Sequence, residues 1–324
     1  MKRLTGGNFF AKAALSRLAI MMLLIALVAV CSHAAPPEPE QRTFSAPDEA
    51  RQALIAAVQS RDRRAMKAIF GPVMRDLEPG DPVEQAEEFA QFARHVQEGT
   101  EIIKQGDEKA ILSIGAEKWP FPVPIVKKEN SWRFDTEAGR EEILSRRIGH
   151  NELLAIKVCH AYVEAQQEYF SMPEPDGDQL PKYAQHMISS PGRKNGLYWP
   201  AAAGEKESPL GRLVAGAKEE GYMQKRKADD IGPRPFHGYY FHILKKQGSS
   251  APGGKFNYVI NGNMVAGHAL IAYPSRWGVS GVMTFIVNQR GRVYQKNLGP
   301  ETARIAGNLK SFNPDLSWKL VDDQ

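Results

Sequence analysis

The stretch from Pro235 to Pro300 decides the fold of the second half of the chain, because strands and turns alternate there with little ambiguity. It opens with FHGYYFHIL at residues 236–244, an apolar and aromatic run that is too short for a helix and rich in strand formers. Phe256 to Ile260 follows, and Asn261-Gly262 is a dipeptide that favours a tight hairpin turn. We therefore predict that an antiparallel meander begins here.

The remainder of this stretch continues the same pattern. Gly267 to Tyr273 is a strand that ends before Pro274, and GVMTFIVN at residues 281–288 is the next. The tetrad Asn288-Gln289-Arg290-Gly291 then reverses the chain into a last strand, Arg292 to Lys296. Four or five strands with short connections predict an antiparallel sheet that needs one covered face.

The strongest helical pattern in the chain runs from Glu152 to Phe170, with Asn151 as its predicted N-cap. Its apolar positions recur at spacings of three and four along one side: Leu154, Val158, Tyr162, Ala165 and Tyr169. We expect this helix to cover the sheet. Gly149 interrupts the preceding charged helix, Thr136 to Arg147, so we place a domain boundary there and a helix-plus-meander domain at residues 150–324.

The amino-terminal half shifts from helices to strands. Start signals for three helices occur at Ser45 with Asp48, at Asp62 and at Asp81. Four short strands follow, and they lie at residues 100–104, 110–114, 123–127 and 131–135. This order predicts a cone-like α+β domain at residues 45–149, and the whole chain is accordingly expected to be α+β.

The element order from Ser45 to Asp135 resembles the plan of nuclear-transport-factor-like cone folds. That resemblance implies early helices, a curved antiparallel sheet and a mostly apolar pocket. Cone folds of this kind include ligand binders and enzymes, so the resemblance leaves both classes open.

Residues 1–34 have the features of a secretory signal peptide. Basic residues precede an apolar run from Leu18 to Val30, and Ser32-His33-Ala34 supplies small residues for cleavage. The run is shorter than the roughly twenty residues that cross a bilayer, which favours cleavage. An uncleaved anchor and lipidation of Cys31 remain alternatives, and they are the two routes by which we would expect membrane attachment. We expect an exported protein, periplasmic or extracellular.

Removal of the leader lowers the net charge and so changes which partners the charge predicts. The leader holds four basic residues and no acidic ones, so the net charge of +5 falls to +1 without it. A nearly neutral chain gives no reason to expect a nucleic acid as partner. Cleavage also leaves Cys159 as a single cysteine, which excludes an internal disulfide.

Several longer motifs resemble an exported bacterial family known as domain of unknown function 2950. They are RRIGHNELLAIKVCHAYVEAQ from Arg146, NGLYWP from Asn195, SPLG from Ser208, HGYYFHIL from His237 and GVMTFIVNQRGRVYQKNLG from Gly281. This resemblance spans nearly the whole chain after the leader. It implies an envelope location and carries no activity, ligand or catalytic residue.

The helix followed by a meander also resembles the globular head of pilin-like proteins, whose last strands follow a Pro and a Gly-containing turn. This chain departs from that pattern, because no prepilin cleavage site precedes a long apolar helix. The resemblance therefore implies a fold for residues 150–324 without implying assembly into a pilus.

Candidate chemistry in the sequence is sparse. His237 and His242 are five residues apart, which places them on opposite faces of a strand, although His268 in another strand could meet one of them across the sheet. Gly278-Val279-Ser280-Gly281 resembles a nucleophile elbow, but Val282 stands where the second glycine is needed and a strand follows. We therefore predict no catalytic residue, no metal site and no cofactor.

The aromatic residues of the second half are expected to be mostly core. Those that are exposed together would form a binding face, for which the candidates are Tyr198, Trp199, His237, Tyr239 and Trp277. The sequence favours a non-catalytic binding or assembly module whose partner is an envelope protein, a peptide or a glycan. The alternative is an envelope hydrolase whose site combines His237 or His268, Ser280 and a carboxylate.

Overall fold

A computed structural model describes residues 41–173, 180–202, 204–222 and 234–322. The predicted leader, residues 1–34, and Cys31 within it lie outside the described residues.

Helices and antiparallel strands both occur in the described residues, so the α+β prediction is confirmed. The helices are α1 (Pro47–Gln59), α2 (Arg63–Phe70), α3 (Val73–Asp76), α4 (Pro82–Glu98), α5 (Thr136–Ser171), α6 (Gly211–Glu219) and α7 (Thr302–Gly307). The strands before α5 are β1 (Thr100–Lys104), β2 (Lys109–Ile114), β3 (Trp119–Pro120), β4 (Ile125–Lys128) and β5 (Ser131–Phe134). The strands after α6 are β6 (Tyr239–Leu244), β7 (Lys246–Gln247), β8 (Phe256–Asn257), β9 (Val259–Ile260), β10 (Asn263–Met264), β11 (Ala269–Pro274), β12 (Met283–Asn288), β13 (Tyr294–Asn297) and β14 (Lys319–Leu320).

The first sheet has the order β1-β2-β4-β5, with β3 paired to the end of β2. Its core face carries Leu112, Ile125 and Phe134, which pack with apolar side chains of α1, α2 and α4. Asp62 and Asp81 cap α2 and α4 as predicted, because each carboxylate accepts two backbone N–H bonds.

The predicted capping box at the start of α1 differs in one partner. Ser45 pairs through its backbone N–H and its hydroxyl with Glu49 Oε2, at 2.8 and 2.7 Å, rather than with Asp48. The helix begins one residue later than the prediction required, at Pro47, so the reciprocal carboxylate also moves by one position.

The second sheet, which we call the central sheet, has the order β14-β13-β12-β11-β6, and all of its pairs are antiparallel. β6, β11, β12 and β13 form the predicted meander, but the predicted strand Phe256 to Ile260 does not belong to it, because β8 and β9 pair with β7 and β10 in separate two-stranded sheets. The Asn261-Gly262 turn joins β9 to β10.

Both faces of the central sheet are covered, whereas the sequence predicted that only one face would be covered. Leu270 and Phe285 pack towards α5, while Ile271 and Ile286 pack with Phe312 and α7 on the opposite side.

The longest helix differs from its prediction. α5 runs without a break for 36 residues, so the expected break at Gly149 and the expected N-cap at Asn151 are wrong. Gly149 is exposed, and a glycine inside a helix costs only about 1 kcal/mol, which packing at both ends of the helix outweighs. The predicted apolar seam of α5 is buried at Val158, Tyr162, Ala165 and Tyr169.

The described residues form three apolar clusters, one on the first sheet and one on each face of the central sheet. α5 contributes Ile143 to the core of the first sheet and Tyr162 to that of the central sheet. All three clusters lie in one compact unit that starts at Gln41. The division into two domains, residues 45–149 and 150–324, stays a prediction.

The burial of Cys159 and the lengths and polarity of the helices complete the description of the fold. Cys159 is a free, fully buried thiol on α5, and burial raises its pKa to about 12, so it packs as an apolar side chain. Within the ranges that the structure describes, each helix is either too short or too polar to cross a membrane.

Candidate functional site

A group of buried polar side chains joins the two halves of the protein. Asp81 lies at its centre, because the carboxylate that caps α4 also reaches the second half. Its Oδ1 accepts from Val83 N at 3.0 Å and Glu84 N at 3.3 Å, while its Oδ2 accepts from the Tyr222 hydroxyl at 3.1 Å and from Gly238 N at 3.3 Å. One carboxylate thus fixes the start of a helix against the loop that enters β6.

Glu84 and Asn151 form the second contact of this group. Asn151 Nδ2 donates to Glu84 Oε1 at 2.6 Å and to the carbonyl oxygen of Ser280 at 3.1 Å. Burial is the main cause that raises the pKa of Glu84 to about 7, and the hydrogen bond from Asn151 acts against it. Glu84 Oε2 and Asn151 Oδ1 are buried and lack a hydrogen-bond partner among the described residues. We call Asp81, Glu84, Asn151, Tyr222, Gly238 and Ser280 the polar joint.

Gly238 is the residue of the polar joint that tolerates no side chain. Its φ is +70°, and a Cβ there would lie 2.7 Å from Ser280 Cβ and 2.8 Å from Asn151 Nδ2. The close approach of this backbone to both side chains therefore requires glycine.

An ion pair lies beside the polar joint. Arg147 donates from Nε and Nη2 to the two carboxylate oxygens of Glu88, at 2.6 and 2.8 Å, and from Nη1 to the carbonyl oxygen of Leu77 at 2.6 Å. The guanidinium side chain is only 7% exposed. This bidentate geometry fixes α5 against α4 and the turn after α3.

His237 and Glu220 form a second pair, closer to the surface. His237 Nε2 lies 2.8 Å from Glu220 Oε2, and His237 N donates to the Tyr222 hydroxyl at 3.1 Å. The backbone of His237 has a positive φ of 45°, which is uncommon for a residue with a side chain. Glu220 and the exposed His150, whose ring centre is 6.3 Å from that of His237, give this pair access to solvent.

Ser280, the serine of the hydrolase alternative, is enclosed. Its side chain is fully buried, and its Oγ accepts from Arg276 N at 3.0 Å and lies 3.2 Å from the Arg276 carbonyl oxygen. The imidazole of His237 is bonded to Glu220 and not to this hydroxyl. The structure therefore brings Ser280 near the backbone of Gly238 without forming a serine–histidine pair.

The other histidines of the second half have separate surroundings. His242 Nε2 lies 3.3 Å from the carbonyl oxygen of Leu309, and burial lowers the pKa of its ring. His268 packs between the rings of Tyr162 and Tyr183, and burial lowers its pKa to about 3. Across the part of the chain that the structure describes, His, Cys, Asp and Glu form no cluster of three that could hold a metal ion.

The five candidates for a binding face do not share one surface. Trp199 and Tyr239 lie in the core beside α5, with exposed fractions of 6% and 0%. Tyr198 and Trp277 are half-buried, and His237 is buried within its pair with Glu220. The hydroxyl of Tyr239 and the indole N–H of Trp277 donate to Met283 O and Asn297 Oδ1. A binding role for any of these residues stays a prediction.

β1 presents an open edge that sequence reasoning did not find. Gly115 N donates to Gly99 O and Gln105 N donates to Lys109 O, so the odd-numbered residues of this strand form the hydrogen-bonded pairs with β2. The N–H and C=O groups of Thr100, Ile102 and Lys104 therefore point away from the sheet. Arg51 Nη1 lies 3.3 Å from Thr100 O, while the outward groups of Ile102 and Lys104 have no hydrogen bond within the described residues.

The face of the first sheet that turns away from the helices is also open at β1. Ile103 is 49% exposed and lies directly opposite Ile111, which is half-buried. At the other edge of this sheet, Phe44 and Trp132 exchange two backbone hydrogen bonds of 2.8 Å, which close the edge at β5. The sheet thus has one blocked edge and one free edge with an apolar residue beside it.

Comparison with other proteins identifies the family. No curated protein and no solved structure matches the chain, so the resemblances to cone folds and to pilin-like heads stay predictions. The sequence pattern of one family, described as protein of unknown function (DUF2950), matches residues 41–321. This range contains both sheets, α5 and the polar joint. The family resemblance of the sequence motifs is confirmed, and the chain belongs to the DUF2950 family of proteins of unknown function.

Proposed function

We propose that this protein is an exported, non-catalytic module of the cell envelope that binds an extended segment of a partner protein along β1. The observation that carries the proposal is the open edge at Ile102 and Lys104, next to the exposed side chain of Ile103. The basic and apolar pattern of residues 1–34 supports export.

The energetics of strand addition fit this edge. A partner strand would pair with the N–H and C=O groups of Ile102 and Lys104. At about 1 kcal/mol for each such bond, backbone pairing alone gives roughly millimolar affinity. An apolar partner side chain laid over Ile103 and Ile111 adds about 2 kcal/mol, which brings the dissociation constant to tens of micromolar. Specificity would come from that side chain, because the backbone bonds do not depend on sequence.

Proline at Lys104 tests the proposal directly. The N–H of Lys104 points away from β2 and the side chain is exposed, so Lys104→Pro removes a free donor without removing a bond of the sheet. The probe is a set of short random-sequence peptides selected for binding to the purified protein. We expect Lys104→Pro to weaken them at least about tenfold, which corresponds to about 1.4 kcal/mol, while the charge-matched control Lys104→Ala binds as the wild type does.

Amide hydrogen exchange gives an independent readout. Without peptide, the amides of Ile102 and Lys104 should exchange faster than those of Glu101 and Ile103, whose N–H groups bond to β2. With a selected peptide, the amides of Ile102 and Lys104 should become protected. Peptides that bind equally well to the wild type and to Lys104→Pro, with these two amides unprotected, would contradict strand addition at β1.

The hydrolase alternative has one observation in its favour, the solvent access of the His237–Glu220 pair beside Glu84, whose pKa is raised to about 7. A fluorophosphonate probe, which labels activated serines, separates the two functions. We expect no labelling of Ser280, because its hydroxyl is enclosed and bonded to Arg276. Labelling of Ser280 that disappears in His237→Ala would favour the hydrolase over the binding module.

A further inference from the structure

The turn between β12 and β13 has a defined local structure. Asn288 ends β12, its Oδ1 accepts from Arg290 N at 3.2 Å, and its carbonyl oxygen accepts from Gly291 N at 2.8 Å. Gly291 has a φ of 73°, which allows the chain to reverse before Arg292. The side-chain oxygen of Asn288 is therefore used to hold the turn.

The side-chain nitrogen of Asn288 is left without an acceptor. The residue is 1% exposed, and Nδ2 has no hydrogen-bond partner within the described residues. Burial raises the pKa of Tyr258 to about 12, and the nearby Asn288 amide lowers it. The Tyr258 hydroxyl donates to Gln247 Oε1 at 2.9 Å, and the contact between this hydroxyl and Nδ2 does not have hydrogen-bond geometry. A buried amide donor without a partner is destabilising, so an acceptor supplied from outside would stabilise this site.

A small cavity adjoins this amide. It has a volume of about 20 Å³ and is lined by Pro252, Asn288, Arg290, Arg292, Tyr294 and Phe312. This volume holds one atom of the size of a water oxygen. Among the described residues no carboxylate lines the cavity, so a negatively charged group would meet no repulsion from these walls.

Arg290 and Arg292 carry the charge at this cavity. Both are exposed, and neither has an ion-pair partner in the part of the chain that the structure describes. Two other exposed arginines are paired with a glutamate near them in the sequence: Arg146 with Glu142 and Arg304 with Glu301. Two arginines that line the same cavity as a buried amide side chain provide the kinds of donor that an oxyanion requires.

We propose that the turn from Asn288 to Arg292 is a binding site for an oxyanion, the carboxylate or phosphoryl group of a ligand. One oxygen enters the cavity and accepts from Asn288 Nδ2, and the others accept from the guanidinium groups of Arg290 and Arg292. The site lies on the central sheet and is independent of the open edge of β1, so either proposal can fail without the other.

Inorganic phosphate and acetate are the probes, added to the purified full-length protein at constant ionic strength. The readout is the NMR signal of the Asn288 side-chain amide. We expect a saturable shift with a dissociation constant of about 1 mM for the better of the two anions. Phosphate saturating first indicates a phosphoryl ligand, and acetate saturating first indicates a carboxylate ligand.

Three variants test the donors. Arg290→Gln with Arg292→Gln should weaken binding at least about tenfold, and Asn288→Asp should do the same, because it keeps the oxygen that holds the turn and removes the donor. Binding to Asn288→Asp is followed by the backbone amide signal of Gly291 in the same turn, because this variant lacks the side-chain amide.

The control is the double variant Arg146→Gln with Arg304→Gln, which also removes two positive charges, from exposed, paired arginines on α5 and α7, and should change binding less than about twofold. Equal losses in Arg290→Gln with Arg292→Gln and in the control, or no saturable shift with either anion, would overturn the proposal.

Discussion

The two sheets of this protein are buried to different extents, and the difference shows in their sequences. In the central sheet, Leu270 and Ile271 are consecutive and both fully buried, because α5 covers one face and α7 with its neighbours covers the other. In the first sheet, Leu112 is fully buried while Ile103 is 49% exposed. A sheet that is covered on both faces can bind a ligand only at its ends and turns, whereas a sheet with one open face and one open edge can also bind a partner along a strand.

The largest effect is expected where the central sheet meets α5. Tyr162 is fully buried, and its hydroxyl donates to Ala269 O at 3.1 Å. Tyr162→Asp places a charge in this core and should lower the free energy of unfolding by about 4 kcal/mol. Denaturant unfolding followed by circular dichroism measures the loss. Tyr162→Phe removes only the hydroxyl, with its bond to Ala269 O and the bond that it accepts from Gln166 Nε2, and should cost about 2 kcal/mol.

The same variant tests whether the halves are separate domains. If residues 45–149 fold alone, Tyr162→Asp should abolish the transition of the second half and leave one transition of the first. Loss of all cooperative unfolding would mean that the two cores form one folding unit, and the division at Gly149 would then be wrong.

The polar joint should make stability depend on pH. The folded pKa of Glu84 is raised from 4.5 to about 7 by burial. Its protonated form is therefore favoured in the fold, and this contribution is complete below pH 4.5 and is lost as pH rises through 7. The loss is about 3 kcal/mol, and Glu84→Gln, which stays neutral, should not show it. The measurement is the difference in free energy of unfolding between wild type and variant from pH 4.5 to 8, and a difference that stays constant would contradict it.

Crowding at Gly238 should have a smaller effect. Gly238→Ala should cost about 2 kcal/mol, because the residue has a positive φ and its Cβ would press against Ser280 and Asn151. Gly254 has a φ of +77° with nothing within 4 Å, so Gly254→Ala should cost only the backbone strain, about 1 kcal/mol. Equal losses in thermal unfolding would show that the joint tolerates a methyl group.

The smallest effect is expected on the open face of the first sheet. Ile103→Asp should change the free energy of unfolding by less than about 0.5 kcal/mol, because the side chain is half-exposed and no helix covers it. A loss as large as that of Tyr162→Asp would mean that this face is buried and that the comparison of the two sheets fails.

Local sequence patterns were sufficient to predict most of the elements. The FHGYYFHIL run, the Asn261-Gly262 turn and the caps at Asp62 and Asp81 are decided by residues within a few positions of one another. The second cover of the central sheet was not predicted, because it consists of short elements between β6 and β11 and after β13 whose burial depends on distant partners.

The candidate site was not predictable in the same way. Asn151 resembles a helix cap in the sequence, but it lies inside α5 because Glu84 and Ser280 satisfy its side chain from other parts of the chain. The open edge of β1 depends on the strand order, and the unpaired arginines at residues 290 and 292 depend on which carboxylates fold nearby. A single sequence has no local signal for such pairings.

The residues of the polar joint lie far from one another in the sequence, and this affects the order in which the protein folds. Its bonds close loops of 67 residues between Glu84 and Asn151, 129 between Asn151 and Ser280, and 157 between Asp81 and Gly238. Helix pairs and hairpins close far shorter loops and lose less chain entropy when they form. Loop entropy therefore favours formation of helix pairs and hairpins before the polar joint closes, and the pairing of Asp81 with Gly238 closes the longest of these loops.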